Sequence, residues 1–105
     1  PIVEPSSASW SSEAFKKYIG LNKEYWDMYD SVSLVKKGYV FPEILIDQGE
    51  ADSFLDEGLR PWLLADACKN TSINLELRMQ PNYDHSYFFI STFMSDHLQW
   101  HKDRI

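Results

Sequence analysis

Two short apolar segments with a helical segment between them constrain the fold of this 105-residue chain more than any other feature. "EILID", directly after Pro42, contains consecutive aliphatic residues and is too apolar to alternate, which predicts a strand buried on both faces. "INLELRM" (73–79) alternates apolar and polar residues and predicts a second strand. Between them, 57–70 has leucines at helical spacing, with Pro61 acceptable only in the first turn. This order predicts a βαβ unit with parallel strands and a right-handed crossover, and therefore an α/β fold.

Helical segments flank this unit on both sides. Ser12 followed by Glu13 predicts a helix start, and Gly20 predicts its end. Two further short helical segments, "KEYWDMYD" and "SVSLVKK", precede the first strand. The last segment, "SYFFISTFMSDHLQWHKDR", predicts an amphipathic helix whose broad apolar face carries Phe89, Ile90, Phe93, Met94, His97 and Trp100.

Charge and composition exclude several classes of function. The net charge of −6 argues against a nucleic-acid partner, because neutralising phosphates requires a basic face. The basic residues are scattered, so a polybasic membrane patch is not expected, and no apolar stretch approaches the roughly 20 residues that span a bilayer. The single cysteine, Cys68, rules out a disulfide within the chain and favours a reducing compartment, so we expect a cytoplasmic protein.

Acidic residues and a histidine follow the two predicted strands. Asp47, Glu50 and Asp52 come at or after the first strand, and Asp84 and His85 follow the second. Because the carboxyl ends of parallel strands meet at one edge of a sheet, an acid of the first loop can reach the imidazole of the second. A carboxylate bonded to an imidazole is the acid–base half of a nucleophilic triad. The alternative is structural: acids after strands commonly form turns, and the histidine can cap the last helix.

The nucleophile of such a triad has no counterpart in the sequence. No G-x-S-x-G motif occurs, and the serines lack flanking glycines. Cys68 lies in the middle of a predicted helix near its apolar face, where an unactivated thiol is inert. The chain therefore offers a base and an orienting acid without an evident nucleophile.

Several of these segments occur together in one known family. "AFKKYIG", "WDMYDSVSLVKK", "ILIDQGEADSFL" and "YDHSYFFISTFMSDHLQWH" appear here in order. Over its whole length the chain resembles the C-terminal portion of the S-formylglutathione hydrolase (esterase D) family, which are α/β-hydrolase serine esterases. The resemblance implies that residues 1–105 are the C-terminal part of a single α/β-hydrolase domain. The nucleophile elbow then belongs to an N-terminal part that is not in this chain.

The resemblance also implies residue roles and a reaction. The triad aspartate of the family falls on Asp52 and its histidine on His85, while Trp10 matches a tryptophan that lines the acyl or glutathione pocket. The implied reaction hydrolyses S-formylglutathione to glutathione and formate through a serine ester, without a metal or organic cofactor. The serine comes from the N-terminal half of the domain or from a companion chain, and family members are commonly dimers. Ala51 departs from the acid or small polar residue often found there, which bears on substrate preference.

Other interpretations stay open at this stage. Asp47 is the chief rival for the triad acid, although a turn at the strand end is its more common role. Asp84 ranks below Asp52 because adjacent side chains usually point apart. His97 and His101 lie four residues apart on a helix, but a zinc site requires three or four ligands, so no metal is expected.

The chain as a whole also has alternatives. It can be a non-catalytic α/β-hydrolase remnant or interaction module that lacks the nucleophile.

The aromatic start of the last helix, Tyr87 to Phe89, is expected to anchor the histidine loop from behind. Two strands with helices leave open sheet edges, so we expect the isolated chain to be poorly soluble or to self-associate. Because it lacks the nucleophile, we also expect the isolated chain to be inactive. A sharp, monomeric, cooperative melt of the chain alone would contradict that expectation.

Overall fold

The computed structural model describes residues 9–105, and residues 1–8 of the expected domain lie outside the described residues. The elements follow the order helices, strand, helix, strand, helix. In chain order they are α1 (Ser9–Tyr18), α2 (Lys23–Trp26), α3 (Ser31–Lys36), β1 (Glu43–Gly49), a π-helical turn (Leu55–Leu59), α4 (Pro61–Cys68), β2 (Asn74–Gln80) and α5 (Tyr87–Lys102).

The two strands of the described residues form one parallel sheet. The register runs from Glu43 opposite Asn74 to Gly49 opposite Gln80. The α/β fold with two parallel strands and flanking helices is therefore confirmed. The expectation that β1 is buried on both faces is wrong for residues 9–105, where its first five residues are only half-buried. Two strands and these helices are too few to cover both faces of the sheet.

The core lies between one face of the sheet and two helices. Val32 of α3 and Leu64 and Cys68 of α4 are buried together with Ile73, just before β2. Ile44, Ile46 and Leu75 of the sheet and Val35, Leu63 and Ala67 of the helices pack around them. Burial raises the pKa of the Cys68 thiol, which keeps it protonated and unreactive.

Helix α4 begins later than its sequence pattern predicts. The expected start near Glu57 is wrong, because Arg60 adopts a left-handed conformation with φ of 38° and interrupts the helical path. Pro61 then occupies the first helical position, where its missing N–H breaks no helical hydrogen bond. Residues 55–59 form the separate π-helical turn instead.

The other helices are closer to expectation. Helix α1 begins at Ser9 rather than at Ser12, and the chain leaves it through Gly20, whose φ of 102° suits the residue after a helix. Helix α5 packs against β1, with Phe89, Phe93 and Trp100 half-buried as the amphipathic pattern predicts. Ile90 and Met94 of the same face stay exposed within residues 9–105. No helix among these residues has the length and apolar character to cross a membrane.

Candidate active site

The loops that follow β1 and β2 are joined by backbone hydrogen bonds. The Glu50 amide donates to the Gln80 carbonyl at 3.0 Å, and the Ala51 amide donates to the Tyr83 carbonyl at 2.9 Å. Gly49 makes this approach possible, since a Cβ at that position would lie 2.5 Å from the Asp84 carbonyl oxygen. The acid loop and the histidine loop are therefore held side by side, as the strand order predicts.

Asp52 and His85 meet across this junction. His85 Nδ1 lies 2.8 Å from Asp52 Oδ2, with the aspartate side chain 1% exposed and the imidazole 57% exposed. Because the contact uses Nδ1, Nε2 on the far side of the ring remains the atom that can exchange a proton with a reactant. The pair thus combines a sequestered carboxylate with an accessible imidazole.

Asp52 accepts hydrogen bonds at both carboxylate oxygens. The Phe54 amide donates to Oδ1 at 2.8 Å, and the Gln48 side-chain amide donates to Oδ2 at 3.0 Å. Burial by itself raises the pKa of Asp52, but the hydrogen bonds from Phe54, His85 and Gln48 outweigh it and lower that pKa. Asp52 is therefore ionised at neutral pH, as a carboxylate that orients an imidazole must be.

The histidine loop is shaped by its own side chains. Asp84 Oδ1 accepts from the Ser86 amide at 2.9 Å, and hydrogen bonds from Ser86 lower the pKa of Asp84. Asp84 thus points to its own loop, and Asp52 occupies the position on His85 Nδ1. Ser86, not His85, is the residue that precedes α5, so the alternative of a capping histidine is wrong.

An aromatic cluster anchors the histidine loop, and it includes Phe88 and Phe89 as expected but not Tyr87. The Tyr83 ring stacks on Phe88 at 5.9 Å and meets Phe93 edge-on at 5.1 Å. Phe89 contacts both Tyr83 and Phe93. Tyr87 is 88% exposed and makes no part of this cluster within residues 9–105, so its expected anchoring role is wrong. The first residue of α5 points to solvent, and Tyr83 supplies the anchoring ring.

A row of aromatic rings leads from His85 to Trp10. Phe54 meets the His85 ring edge-on at 5.4 Å, and Trp10 meets Phe54 edge-on at 6.1 Å. With Leu59, these residues line an apolar cleft of about 380 Å³ that opens beside the imidazole. Gly58 supports the Trp10 ring at close range, since a Cβ there would lie 3.0 Å from Trp10 Cζ2.

Trp10 and His85 are predicted from the sequence, whereas Phe54 and Leu59 of the cleft, and Gly58 against the Trp10 ring, are not. The available signal was Phe54, a large aromatic two residues after an acid in a polar loop.

Asp47 occupies a different environment. It lies inside β1, opposite Arg78 in the register, and its Oδ1 accepts from Arg78 Nε and from Gln80 Nε2, both at 2.8 Å. His97 Nε2 lies 2.7 Å from Asp47 Oδ2. The expectation of a strand-end turn at Asp47 is wrong, because β1 continues to Gly49 and the side chain is held in a charged network. Burial raises the pKa of Asp47, but these hydrogen bonds outweigh it and lower that pKa.

The other candidates lie outside the Asp52–His85 pair. Glu50 is exposed. His97 is engaged by Asp47, and the His101 ring lies edge-on against Trp100 at 5.0 Å. Across residues 9–105, no three side chains of histidine, cysteine, aspartate or glutamate are grouped so that they could hold a metal ion.

The parallel βαβ unit, with an acid after the first strand and a histidine after the second, fits the C-terminal part of an α/β-hydrolase fold, and the similarity to a solved hydrolase structure supports this class. The chain belongs to the esterase family, whose model, described as "Putative esterase", matches residues 1–100. The structure is similar to that of an S-formylglutathione hydrolase from Agrobacterium tumefaciens, with a TM-score of 0.90 and 62% identity over 99% of this chain and 38% of that one.

A second relative is the S-formylglutathione hydrolase of Arabidopsis thaliana. It is 44% identical over 102 residues, which is 96% of this chain and 36% of that protein. The chain therefore spans little more than a third of the length of the relatives it matches, and it resembles their C-terminal portion.

Proposed function

We propose that this chain supplies the acid and the base of a serine esterase that hydrolyses S-formylglutathione to glutathione and formate. The observation that carries the proposal is the 2.8 Å contact between buried Asp52 and His85, whose ring lies at the mouth of an apolar cleft. The names of both relatives, each an S-formylglutathione hydrolase, support this substrate. The serine and the oxyanion-binding amides come from the portion of the domain that these relatives have and this chain does not span.

The proposed mechanism assigns one role to each side chain. His85 Nε2 takes the proton of the serine hydroxyl as the serine oxygen attacks the thioester carbonyl, and backbone amides stabilise the oxyanion. Collapse of the tetrahedral intermediate breaks the carbon–sulfur bond, and His85 returns the proton to the glutathione thiolate. His85 then takes a proton from water as the water attacks the formyl-serine, and it returns that proton to the serine oxygen as formate leaves. Asp52 holds the ring and stabilises the imidazolium in each step.

Trp10 and Phe54 form the wall of the proposed substrate pocket. Their rings are large and apolar, and they line the cleft together with the imidazole. We expect Trp10→Ala to raise KM by about tenfold, because removing a ring contact of about 1 to 1.5 kcal/mol changes binding by that factor. A matched change at the exposed Trp62 of α4, Trp62→Ala, should leave KM unchanged. Equal KM values for both variants would exclude Trp10 from the pocket.

The experiment uses the complete enzyme, meaning this chain together with the portion, on the same or a companion polypeptide, that supplies the serine. Turnover of S-formylglutathione and of a short acyl ester is measured for the wild type, His85→Ala and His97→Ala. We expect His85→Ala to lower kcat by about 10⁴-fold or more, and His97→Ala to change it by less than about tenfold. A complete protein without a serine elbow, or His85→Ala with normal turnover, would contradict the proposal and favour a non-catalytic module.

The cellular setting belongs to the same proposal. Removal of formyl groups from glutathione fits a cytoplasmic role in formaldehyde detoxification, and the single free cysteine, Cys68, fits a reducing compartment. We propose a homodimer as the working form. The molar mass of the complete enzyme in solution tests this, and a monomer at all concentrations would contradict it.

A further inference from the structure

Gln48, near the end of β1, is buried and contacts Asp52 directly. Its Nε2 donates to Asp52 Oδ2 at 3.0 Å and to the Gly49 carbonyl oxygen at 3.1 Å. We infer that Gln48 is a positioning residue that fixes the plane of the Asp52 carboxylate and thereby the orientation of His85. The catalytic consequence of this inference rests on the proposed function. The contacts of Gln48 do not depend on it.

The hydrogen bonds to Asp52 show why a third donor matters. The Phe54 amide holds Oδ1, and both Gln48 and His85 approach Oδ2. A carboxylate with only one fixed donor can rotate about its Cβ–Cγ bond, whereas one with a fixed donor on each oxygen cannot do so without losing a hydrogen bond. Once Gln48 and Phe54 have bound the carboxylate, one hydrogen-bonding direction of Oδ2 remains, and His85 Nδ1 occupies it.

The amide of Gln48 is itself fixed in orientation. Both of its partners, the Gly49 carbonyl and the Asp52 carboxylate, are acceptors, so only the NH₂ group satisfies them. Gln48 also extends from a strand, whereas Asp52 and His85 lie on loops. It therefore ties the carboxylate to the most regular part of the site.

An uncharged donor suits this position better than a cation. Arg78 beside Asp47 supplies a full positive charge, which neutralises the carboxylate. A cation on Asp52 would remove the negative charge that stabilises the imidazolium of His85. The amide of Gln48 orients the carboxylate and leaves its charge available.

The first test is Gln48→Met in the complete enzyme, because methionine keeps the length of the side chain but cannot donate. Gln48 does not line the cleft formed by Trp10, Phe54, Leu59 and His85, so the effect should fall on kcat and not on KM. We expect kcat to fall by about 10- to 100-fold, the cost of a small misorientation of a catalytic group, with KM within about twofold.

The matched control is Gln80→Met. Gln80 is also a glutamine whose Nε2 donates to an aspartate, in this case Asp47 of β1 at 2.8 Å. Among residues 9–105, its side chain is not one of the hydrogen-bond partners of Asp52 or His85. We expect this variant to keep kcat within about twofold. Equal losses of kcat in both variants would indicate a general structural effect and overturn the inference.

A second variant, Gln48→Glu, gives a signature in the pH profile. When protonated, the introduced carboxyl can donate to Asp52 as the amide does, but two carboxylates at this distance cannot both stay ionised without strong repulsion. The ionisable partner that faces them is His85, with Asp84 next to it. We expect kcat of Gln48→Glu to be near the wild-type value at low pH and to fall as the pH rises. The wild type should not show this fall. If kcat of Gln48→Glu depends on pH as that of the wild type does, the inference is overturned. This test still applies if Gln48→Met fails to fold.

A spectroscopic measurement separates this inference from the proposed function. The Nδ1 proton of His85 in its hydrogen bond to Asp52 should give a low-field proton resonance in the wild-type complete enzyme, absent in His85→Ala. We expect Gln48→Met to weaken or shift this resonance and Gln80→Met to leave it unchanged. If the wild type hydrolyses no ester, the proposed function fails, and the resonance alone decides. An unchanged resonance in Gln48→Met would overturn the positioning role of Gln48.

Discussion

Two aspartate–histidine pairs lie close together among residues 9–105, and we propose that only the Asp52–His85 pair is catalytic. Asp52 and His85 are 2.8 Å apart, and Asp47 and His97 are 2.7 Å apart. Both aspartates belong to β1 or to the loop after it. The contact distance alone therefore does not distinguish a site from a structural clamp.

Three differences separate the pairs. His85 is bonded through Nδ1 and is 57% exposed beside a cleft, whereas His97 is bonded through Nε2 and is 32% exposed on α5. Asp47 is neutralised by Arg78, whereas Asp52 has amide donors and His85. An imidazolium next to Asp52 gains a full counter-charge, but one next to Asp47 meets a carboxylate already paired with a guanidinium. The charges around the pair, and the ring nitrogen it uses, decide its chemistry.

The largest expected effect is the loss of catalysis in the Asp52→Asn variant. The asparagine can no longer stabilise the imidazolium or fix its tautomer, so we expect kcat of the complete enzyme to fall by about 10⁴-fold. Asp47→Asn is the matched control and should keep kcat within about tenfold. Steady-state turnover of S-formylglutathione measures both. If Asp47→Asn is the more damaging variant, the assignment of the two pairs is reversed.

The next effect is on stability. Here we expect the Asp47–His97 pair to contribute more than the Asp52–His85 pair does. Asp47 ties together both strands and α5 through Arg78, Gln80 and His97. Asp47→Ala leaves Arg78 without its closest partner, and we expect a loss of about 3 kcal/mol in the free energy of unfolding. Denaturant titration of the complete enzyme measures it, with Asp96→Ala as the control, because Asp96 meets Arg78 only at an exposed 3.2 Å contact. Equal denaturation midpoints for the wild type and Asp47→Ala would contradict a stabilising role for the contacts of Asp47.

A third effect concerns pH. The pKa values of Asp47 and Asp52 are both lowered by folding, so each aspartate stabilises the fold above its unfolded pKa, near 3.8, and this contribution disappears as pH falls through the folded pKa. Stability should therefore decrease as the pH drops below about 4. Asp47→Asn should lose less stability over that range than the wild type does. Chemical denaturation repeated at several pH values between about 3 and 6 gives the slopes, and identical slopes would contradict the prediction.

The part of the site that the sequence predicts is the part fixed by strand order. Two apolar segments around a helix imply a parallel pair, and a parallel pair places the loops of Asp52 and His85 at one edge. The choice of Asp52 over Asp47 came from family resemblance, since spacing alone left both open. The structure adds the reason that spacing could not give, which is that Asp47 faces Arg78 across the register.

Other features depend on contacts that no local pattern records. The late start of α4 follows from one left-handed residue, Arg60, whose type does not favour that conformation. The cleft depends on rings from distant segments, Trp10 and Phe54, and on Gly58, which leaves room for the Trp10 ring. The outward direction of Tyr87 likewise follows from how α5 meets the sheet and not from its aromatic character.

The smallest expected effect concerns that glycine. A methyl group on Gly58 would lie 3.0 Å from Trp10 Cζ2, so Gly58→Ala should displace the Trp10 ring by a few tenths of an ångström. Because Trp10 is partly exposed, the ring can move with little loss of stability, within about 0.5 kcal/mol. The cleft beside His85 changes shape, and we expect the ratio of kcat/KM for a formyl ester to that for a longer acyl ester to change by about 3- to 10-fold. Met94→Leu, beside the Asp47–His97 pair, is the control and should leave the ratio unchanged. A ratio that moves with Met94 and not with Gly58 would place substrate at the other aspartate–histidine pair.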